Sequence, residues 1–243
     1  MSAQVFDHLA ASYDAVWTEA PIGRRQRDAV WRRIDPLFES GDRILDLGCG
    51  TGHDALHLMS LGIDVHAFDA SAEMVRIARA KGVNARQLML EDLRTVCGTF
   101  DGALSNFGAL NCVTQYESTA RALGQLIRTG GRLAICLCGP VCAWEIGHFL
   151  VRAQVAKAFR RFSSEDYKGI AVTYPPVARL THAFRRDFAL IDWYGIGLSV
   201  PPSYVQGLHE DTIARLAAVD RRIAHWPVLR GLADHRLLIF KRI

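Results

Sequence analysis

A cluster of glycines closes an apolar run at Ile44-Leu45-Asp46-Leu47-Gly48-Cys49-Gly50-Thr51-Gly52, and it narrows the possible folds more than any other feature. The run reads as a short buried strand and residues 53–61 as a helix, so the glycines occupy a strand-to-helix turn. Glycine in such a turn permits positive φ and lets a ligand approach the backbone closely. Turns of this kind belong to open α/β sheets, which bind ligands beyond the carboxyl ends of their strands.

The alternation continues along the chain. Further strands are predicted at 64–68, 84–90, 100–106 and 132–138, with helices at 71–81 and 115–128. Ser71 caps the first of these helices, and Gly130-Gly131 is read as closing the second. Strands alternating with helices predict an α/β fold, a doubly wound Rossmann-like sheet with helices on both faces. The pattern changes at Gly139-Pro140. Residues 140–182 read as a partly helical, basic and aromatic excursion that could cover the ligand edge. A strand at 188–198, a helix at 211–225 and a strand at 236–241 follow. The expected organisation is one domain: lid helices 1–39, core 40–138, cap 139–185, and a C-terminal strand–helix–strand unit 186–243.

Composition excludes several classes. Of 243 residues, 50% are hydrophobic and 22% charged, which supports a packed core and argues against disorder. The longest nearly apolar run, 133–144, is broken by Gly-Pro and falls short of the roughly 20 residues a membrane span needs. No basic-then-apolar segment opens the chain, and the six cysteines sit mostly in apolar stretches, so a cytoplasmic protein with reduced thiols is expected. The net charge of +4 is too mild to call for a nucleic-acid or membrane partner. A monomer or homodimer is expected.

Two details refine the ligand. A dinucleotide fingerprint would place its third glycine where His53 stands. Asp46 would repel a pyrophosphate but attract an ammonium or sulfonium group. Asp69, ending the second strand, suits two ribose hydroxyls. After the third strand, Asp92 could accept from an adenine amino group while Leu93 packs on the ring. Asn106 ends the fourth strand at the same cleft.

With these residues in place, the chain resembles the class I S-adenosylmethionine-dependent methyltransferases. The acidic-x-Gly-x-Gly-x-Gly loop is Asp46 to Gly52, the ribose acid lies in Ala67-Phe68-Asp69-Ala70-Ser71, and the adenine acid in Glu91-Asp92-Leu93. The segment Phe100-Asp101-Gly102-Ala103-Leu104-Ser105-Asn106-Phe107 and the Gly130-Gly131-Arg132-Leu133 turn also fit. The opening Phe6-Asp7 and Ser12-Tyr13-Asp14 are similar to the lid helix of small-molecule members. The resemblance implies a seven-stranded sheet with its last strand antiparallel and S-adenosyl-L-methionine as cofactor. It places Tyr13, Asp46, Gly48, Cys49, Gly50, Gly52, Asp69, Ala70, Met74, Glu91, Asp92, Leu93, Asn106 and Phe107 around that cofactor.

The acceptor is less legible, because the sulfonium is already an activated leaving group and alignment is the main demand on the protein. Ser105-Asn106-Phe107-Gly108 lacks the Asp/Asn-Pro-Pro-aromatic sequence of amino-methylating nucleic-acid enzymes, and no Pro-Cys pair follows the fourth strand. Cys112 reads as a buried thiol. Transfer to an oxygen or nitrogen of a small aromatic or apolar metabolite is expected. Phe149, Phe159, Phe162, Tyr167 and His182 make the cap aromatic. Asn111, Trp144, Tyr174, Trp193 and Tyr204 are candidate acceptor contacts, with His148 as base. Alternatives are an RNA or protein methyltransferase using Arg152, Lys157, Arg160, Arg161, Arg179, Arg185 and Arg186, a nicotinamide-dependent oxidoreductase, or a non-catalytic cofactor-binding module. Cys136-x-Cys138-x3-Cys142 lacks a fourth ligand of matching spacing, so no metal is expected. His235 is read as ordering the turn before the last strand.

Overall fold

The computed structural model describes residues 3–163, 165–167, 170–205 and 207–243. Its frame is a seven-stranded sheet in the order β3-β2-β1-β4-β5-β9-β8. These strands are β1 (Arg43–Leu47), β2 (Asp64–Asp69), β3 (Ala85–Gln87), β4 (Phe100–Ser105), β5 (Ile127–Cys138), β8 (Phe188–Ile196) and β9 (His235–Arg242). Pairing is parallel from β3 through β5, and β9 runs antiparallel between β5 and β8. The antiparallel last strand expected from the resemblance is therefore present.

The central strands are apolar because helices cover both faces. On one face Val30 and Ile34 of α2 (Pro21–Ile34), Ala55 and Leu58 of α3 (His53–Ser60), and Val75 and Ala78 of α4 (Ala72–Ala80) pack on Ile44, Val65, Leu104 and Cys136. On the other, Ala120 and Leu123 of α5 (Tyr116–Leu126) and Leu180 and Phe184 of α8 (Val177–Phe184) pack on Leu45, Ala103, Ile135 and Phe240. Full burial of each Leu, Ile or Val contributes about 1.5–3 kcal/mol, so these two layers carry most of the stability.

Three elements differ from the sequence reading. The third strand shrinks to Ala85–Gln87, and Leu90–Thr95 coils into a 3-10 turn. Helix α5 ends at Leu126, and Gly130-Gly131 lie inside β5, beside a register shift between Phe100 and Gly102 of β4. A Cβ on Gly131 would lie 2.5 Å from the Asp101 carbonyl oxygen, so the glycine serves strand approach and not a helix stop. The cap contains α6 (Ala143–Leu150), α7 (Val155–Ala158) and a hairpin of β6 (Glu165–Tyr167) and β7 (Ile170–Val172) that the sequence did not reveal. The side chain of Tyr167 falls outside the described residues.

Candidate functional site

The glycine turn after β1 adopts left-handed backbone at Gly48 (φ 76°), Gly50 (φ 53°) and Gly52 (φ 86°). At Gly48 an added Cβ would also sit 2.2 Å from the Ala109 Cβ, so no other residue fits there. The turn satisfies its own amides. Gly48 and Cys49 N–H both donate to the Phe68 carbonyl (2.8 and 3.0 Å), Gly50 N–H to Asp69 Oδ2 (2.8 Å), and Gly52 N–H to the Cys49 carbonyl (2.9 Å). A dinucleotide-binding turn leaves such donors for pyrophosphate; here they are spent inside the protein.

Above the turn lies a cleft enclosing about 930 Å³, its open mouth included. Tyr13, Gly48, Gly50, Asp69, Ala70, Met74, Glu91, Asn106 and Phe107 all line it, nine of the residues singled out from the sequence. Its other walls are mainly apolar, with Phe6, Leu88, Met89, Leu90, Ala109, Cys112 and Val113 added. Asp69 is held by two backbone donors, Gly50 N–H and Ser71 N–H (2.9 Å to Oδ1), which fixes its carboxylate at the wall. Burial raises its pKa.

The first helix, α1 (Ala3–Tyr13), is tied across this cleft at both ends. Asp7 accepts from Ser71 Oγ (2.5 Å) and Glu73 N–H (3.2 Å), at the amino end of α4. Asp14 accepts from Thr51 Oγ1 (2.5 Å) and Lys81 Nζ (2.6 Å). These bonds give the acidic residues Asp7 and Asp14 a place in the fold: they fasten the helix that carries Tyr13.

Below the cleft floor lies a buried charge cluster. Asp54 accepts from Arg27 Nη1 (2.5 Å), Trp31 Nε1 (2.7 Å) and Asn106 Nδ2 (3.1 Å). The Arg27 guanidinium lies 4.9 Å from the Phe107 ring centroid. Asp46 is 1% exposed, and its Oδ2 has no hydrogen-bond partner. Burial pushes its carboxyl well above the usual range, Asp54 and Asp69 add to that, and Arg27 opposes it. Three carboxyls facing one guanidinium leave this region short of positive charge, which favours a cationic ligand. Sequence reasoning missed Arg27 and Asp54. The spacing Arg27-x3-Trp31 puts both side chains on one face of α2, but nothing local announces that Asp54 lies opposite.

Not every expected residue reaches the cleft. Asp92 is exposed and Glu91 forms the wall instead, because the 3-10 turn rotates the pair; Leu93 is fully buried in the core. Asp46, Cys49 and Gly52 do not line the cleft: the first two are buried, and Gly52 packs against Ala78 and Val83. Asn111 is not an acceptor contact: its Nδ2 donates to the Cys138 and Thr173 carbonyls (3.0 and 2.6 Å), and its Oδ1 accepts from Cys138 N–H (2.9 Å). It staples the hairpin of the cap to β5.

The other acceptor candidates are likewise engaged elsewhere. Trp144 donates to the Ser199 carbonyl (2.9 Å), Trp193 lies under Arg230 (4.0 Å), and Tyr174 lies beneath Arg161 (5.5 Å). Tyr204 donates to Glu145 Oε2 (3.1 Å) and stacks on Phe149. His148 meets Arg152 Nη1 at 3.2 Å and lines a shallow outer groove with Trp144, Val151 and Leu198, away from the cleft. A base must reach the proton it takes, and the structure does not bring His148 to the cleft.

Comparisons with known proteins agree with this geometry. A sequence profile described as a methyltransferase domain matches residues 44–131. The demethylmenaquinone methyltransferase of Mycolicibacterium gilvum is 30% identical over 142 residues, covering 55% of this chain and 58% of that protein. The protein of the same name from Mycobacterium bovis is 28% identical over 211 residues, covering 80% and 84%. The chain spans a little over half the length of the first curated relatives it matches. A Thermotoga maritima structure described as a possible histamine N-methyltransferase aligns over 99% of both chains, with a TM-score of 0.64 and 16% identity, a likeness of fold. The sheet order and the glycine turn define a Rossmann-like methyltransferase fold. The profile match over residues 44–131 and these likenesses support a class I S-adenosylmethionine-dependent methyltransferase, a family whose cofactor is S-adenosyl-L-methionine. Among the described residues no helix is long and apolar enough to cross a membrane.

Proposed function

We propose that this protein transfers a methyl group from S-adenosylmethionine to an oxygen or nitrogen of a small, flat, largely apolar metabolite. The observation that carries the reading is the turn whose amides are spent internally beside a carboxylate-rich floor, a setting for a cationic nucleoside without phosphate. Asp69 would accept from the ribose hydroxyls. Met74, Leu88 and Leu90 would enclose the adenine, with Glu91 at its edge, and Tyr13 and the lid would cover the amino-acid end. Asn106 and Phe107 would face the reacting end.

Bound there, the cofactor supplies a methyl on a sulfonium, which an acceptor lone pair takes in line as the sulfur–carbon bond breaks. The chain's contribution is alignment and exclusion of water by the lid and the apolar wall. Glu91 is the cleft's remaining uncommitted carboxylate among the described residues and could take the proton of a hydroxyl acceptor by way of water. A small apolar acceptor is supported by the lining and by the likeness to proteins named demethylmenaquinone methyltransferase. Three of the cap's cations are engaged within the protein: Arg160 and Arg161 both bond Glu145, and Arg152 bonds the His148 carbonyl.

The test is a radiolabel assay with methyl-labelled S-adenosylmethionine against panels of quinols, phenols and aromatic amines, with RNA as a comparison. Incorporation into a small aromatic supports the proposal. Incorporation into RNA alone overturns the acceptor class, and failure to bind S-adenosylhomocysteine overturns the site.

A further inference from the structure

Antiparallel pairing brings together residues that lie far apart in the chain. Cys138, the last residue of β5, is the direct cross-strand partner of His235, the first residue of β9. Directly opposed residues in such a pair share one face of the sheet. Asp234 precedes His235 and is buried. One donor atom from each of Cys138, Asp234 and His235 lies within 4.8 Å of the other two.

We propose that these three residues form a binding site for a divalent transition-metal ion of the zinc class, with a fourth coordination position open. The donor set is right: a thiol, an imidazole and a carboxylate are the ligand types such an ion takes. A tetrahedral ion with ligand distances of about 2.0–2.3 Å sets its donors roughly 3.3–3.7 Å apart. His235 Nδ1 and Asp234 Oδ2 already stand 3.3 Å apart. They form an ion pair whose geometry falls short of an aligned hydrogen bond, which leaves Nδ1 without a well-aligned partner. Closing the remaining gap needs side-chain movement of about 1 Å, within the reach of a cysteine rotamer.

The surroundings support the ligands as metal sites require. Arg161 Nη2 holds Asp234 Oδ1 at 2.6 Å and Arg161 Nη1 holds the Asp234 carbonyl at 3.0 Å, which leaves Oδ2 turned to His235. Gln26 Nε2 approaches Oδ2 at 3.5 Å while bonding the Pro201 carbonyl. Arg161 pairs with both Glu145 and Asp234, and Arg160 also pairs with Glu145, so the ion's charge would be met chiefly by a Cys138 thiolate. The His235 ring meets Phe107 edge-on, with centroids 5.2 Å apart. Phe107 lines the cofactor cleft, so the site stands one ring behind its wall. An oxygen or thiol ligand from that side, or water, would fill the fourth position.

The experiment titrates the full chain, stripped with chelator, with Co2+ alone and in the absence of S-adenosylmethionine, so its outcome is independent of the methyl-transfer reading. About one equivalent per chain should bind, with a thiolate-to-cobalt charge-transfer band that Zn2+ displaces. Cys138→Ser should abolish the band, and Cys97→Ser, which removes an exposed thiol, should keep it. In the unaltered protein, Zn2+ should slow iodoacetamide labelling of the Cys138 peptide at least tenfold. Absence of the band, or its survival in a folded Cys138→Ser protein, overturns the proposal. Should that variant fail to fold, unchanged labelling of Cys138 in the presence of Zn2+ overturns it instead.

Discussion

Replacing Asp69 by alanine separates a ligand contact from a structural one. In the free protein its carboxylate accepts from Gly50 and Ser71 N–H, at 2.8 and 2.9 Å, at the wall of the cleft. Water can reach both amides once the side chain is gone, so unfolding stability should fall by only about 1 kcal/mol. Binding should suffer more. Hydrogen bonds to a charged acceptor are worth about 1.5–3 kcal/mol each, and two ribose hydroxyls are at stake. With water replacing part of that loss in a half-open cleft, the expected cost is about 2–3 kcal/mol, roughly 30- to 150-fold in Kd. Calorimetry with S-adenosylhomocysteine and its 2′-deoxy analogue completes a cycle. Losing the hydroxyl should weaken binding to the unaltered protein and leave the variant's affinity nearly unchanged. An equal penalty in both proteins, or a variant within about threefold of the parent affinity, would refute the assignment of Asp69 to the ribose.

Other outcomes follow from the same geometry. Gly48→Ala forces an L-residue into a φ of 76° and drives its Cβ onto Ala109, so urea unfolding should show a loss of at least about 2 kcal/mol together with lost cofactor binding. Asn111→Ala strands the Cys138 N–H, and urea unfolding should report about 2–3 kcal/mol of destabilisation, with the cofactor Kd moving far less than the stability. Burial pushes the Cys112 thiol up to about 11, so the neutral thiol persists through neutral pH. Its alkylation rate, read by mass spectrometry, should climb steadily as pH rises towards 11, and a plateau near pH 8 would contradict the burial argument. His148→Ala should leave kcat within about twofold of the parent; a large drop would restore it as a base.

The core was legible because its signals are local. Strand, glycine turn and helix between Arg43 and Ser60 follow from apolar runs and positive-φ positions within a few residues of one another. Asp69 and Asn106 follow from sitting at strand ends, which all open on the same edge of a parallel sheet. What stayed hidden depends on long-range pairing. Arg27 meets Asp54 only because α2 and α3 pack on the same face, and Cys138 meets His235 only because β9 enters between β5 and β8. The cap misled for a related reason. Its aromatic residues suggest a pocket, yet Glu145 is buried among them and must be neutralised. Arg160, Arg161 and Tyr204 turn inward to do so, while Phe159 and Phe162 stay exposed. The choice between Glu91 and Asp92 rested on the direction of one 3-10 turn, which adjacent acidic residues cannot reveal.

The central claim is that the turn after β1 accepts a cationic, phosphate-free nucleoside. Equilibrium dialysis of the purified chain against S-adenosylhomocysteine and NADH, side by side, tests it most directly. Saturable uptake of S-adenosylhomocysteine at micromolar concentration, with none of NADH, is the predicted result; the reverse preference would contradict the account at its root.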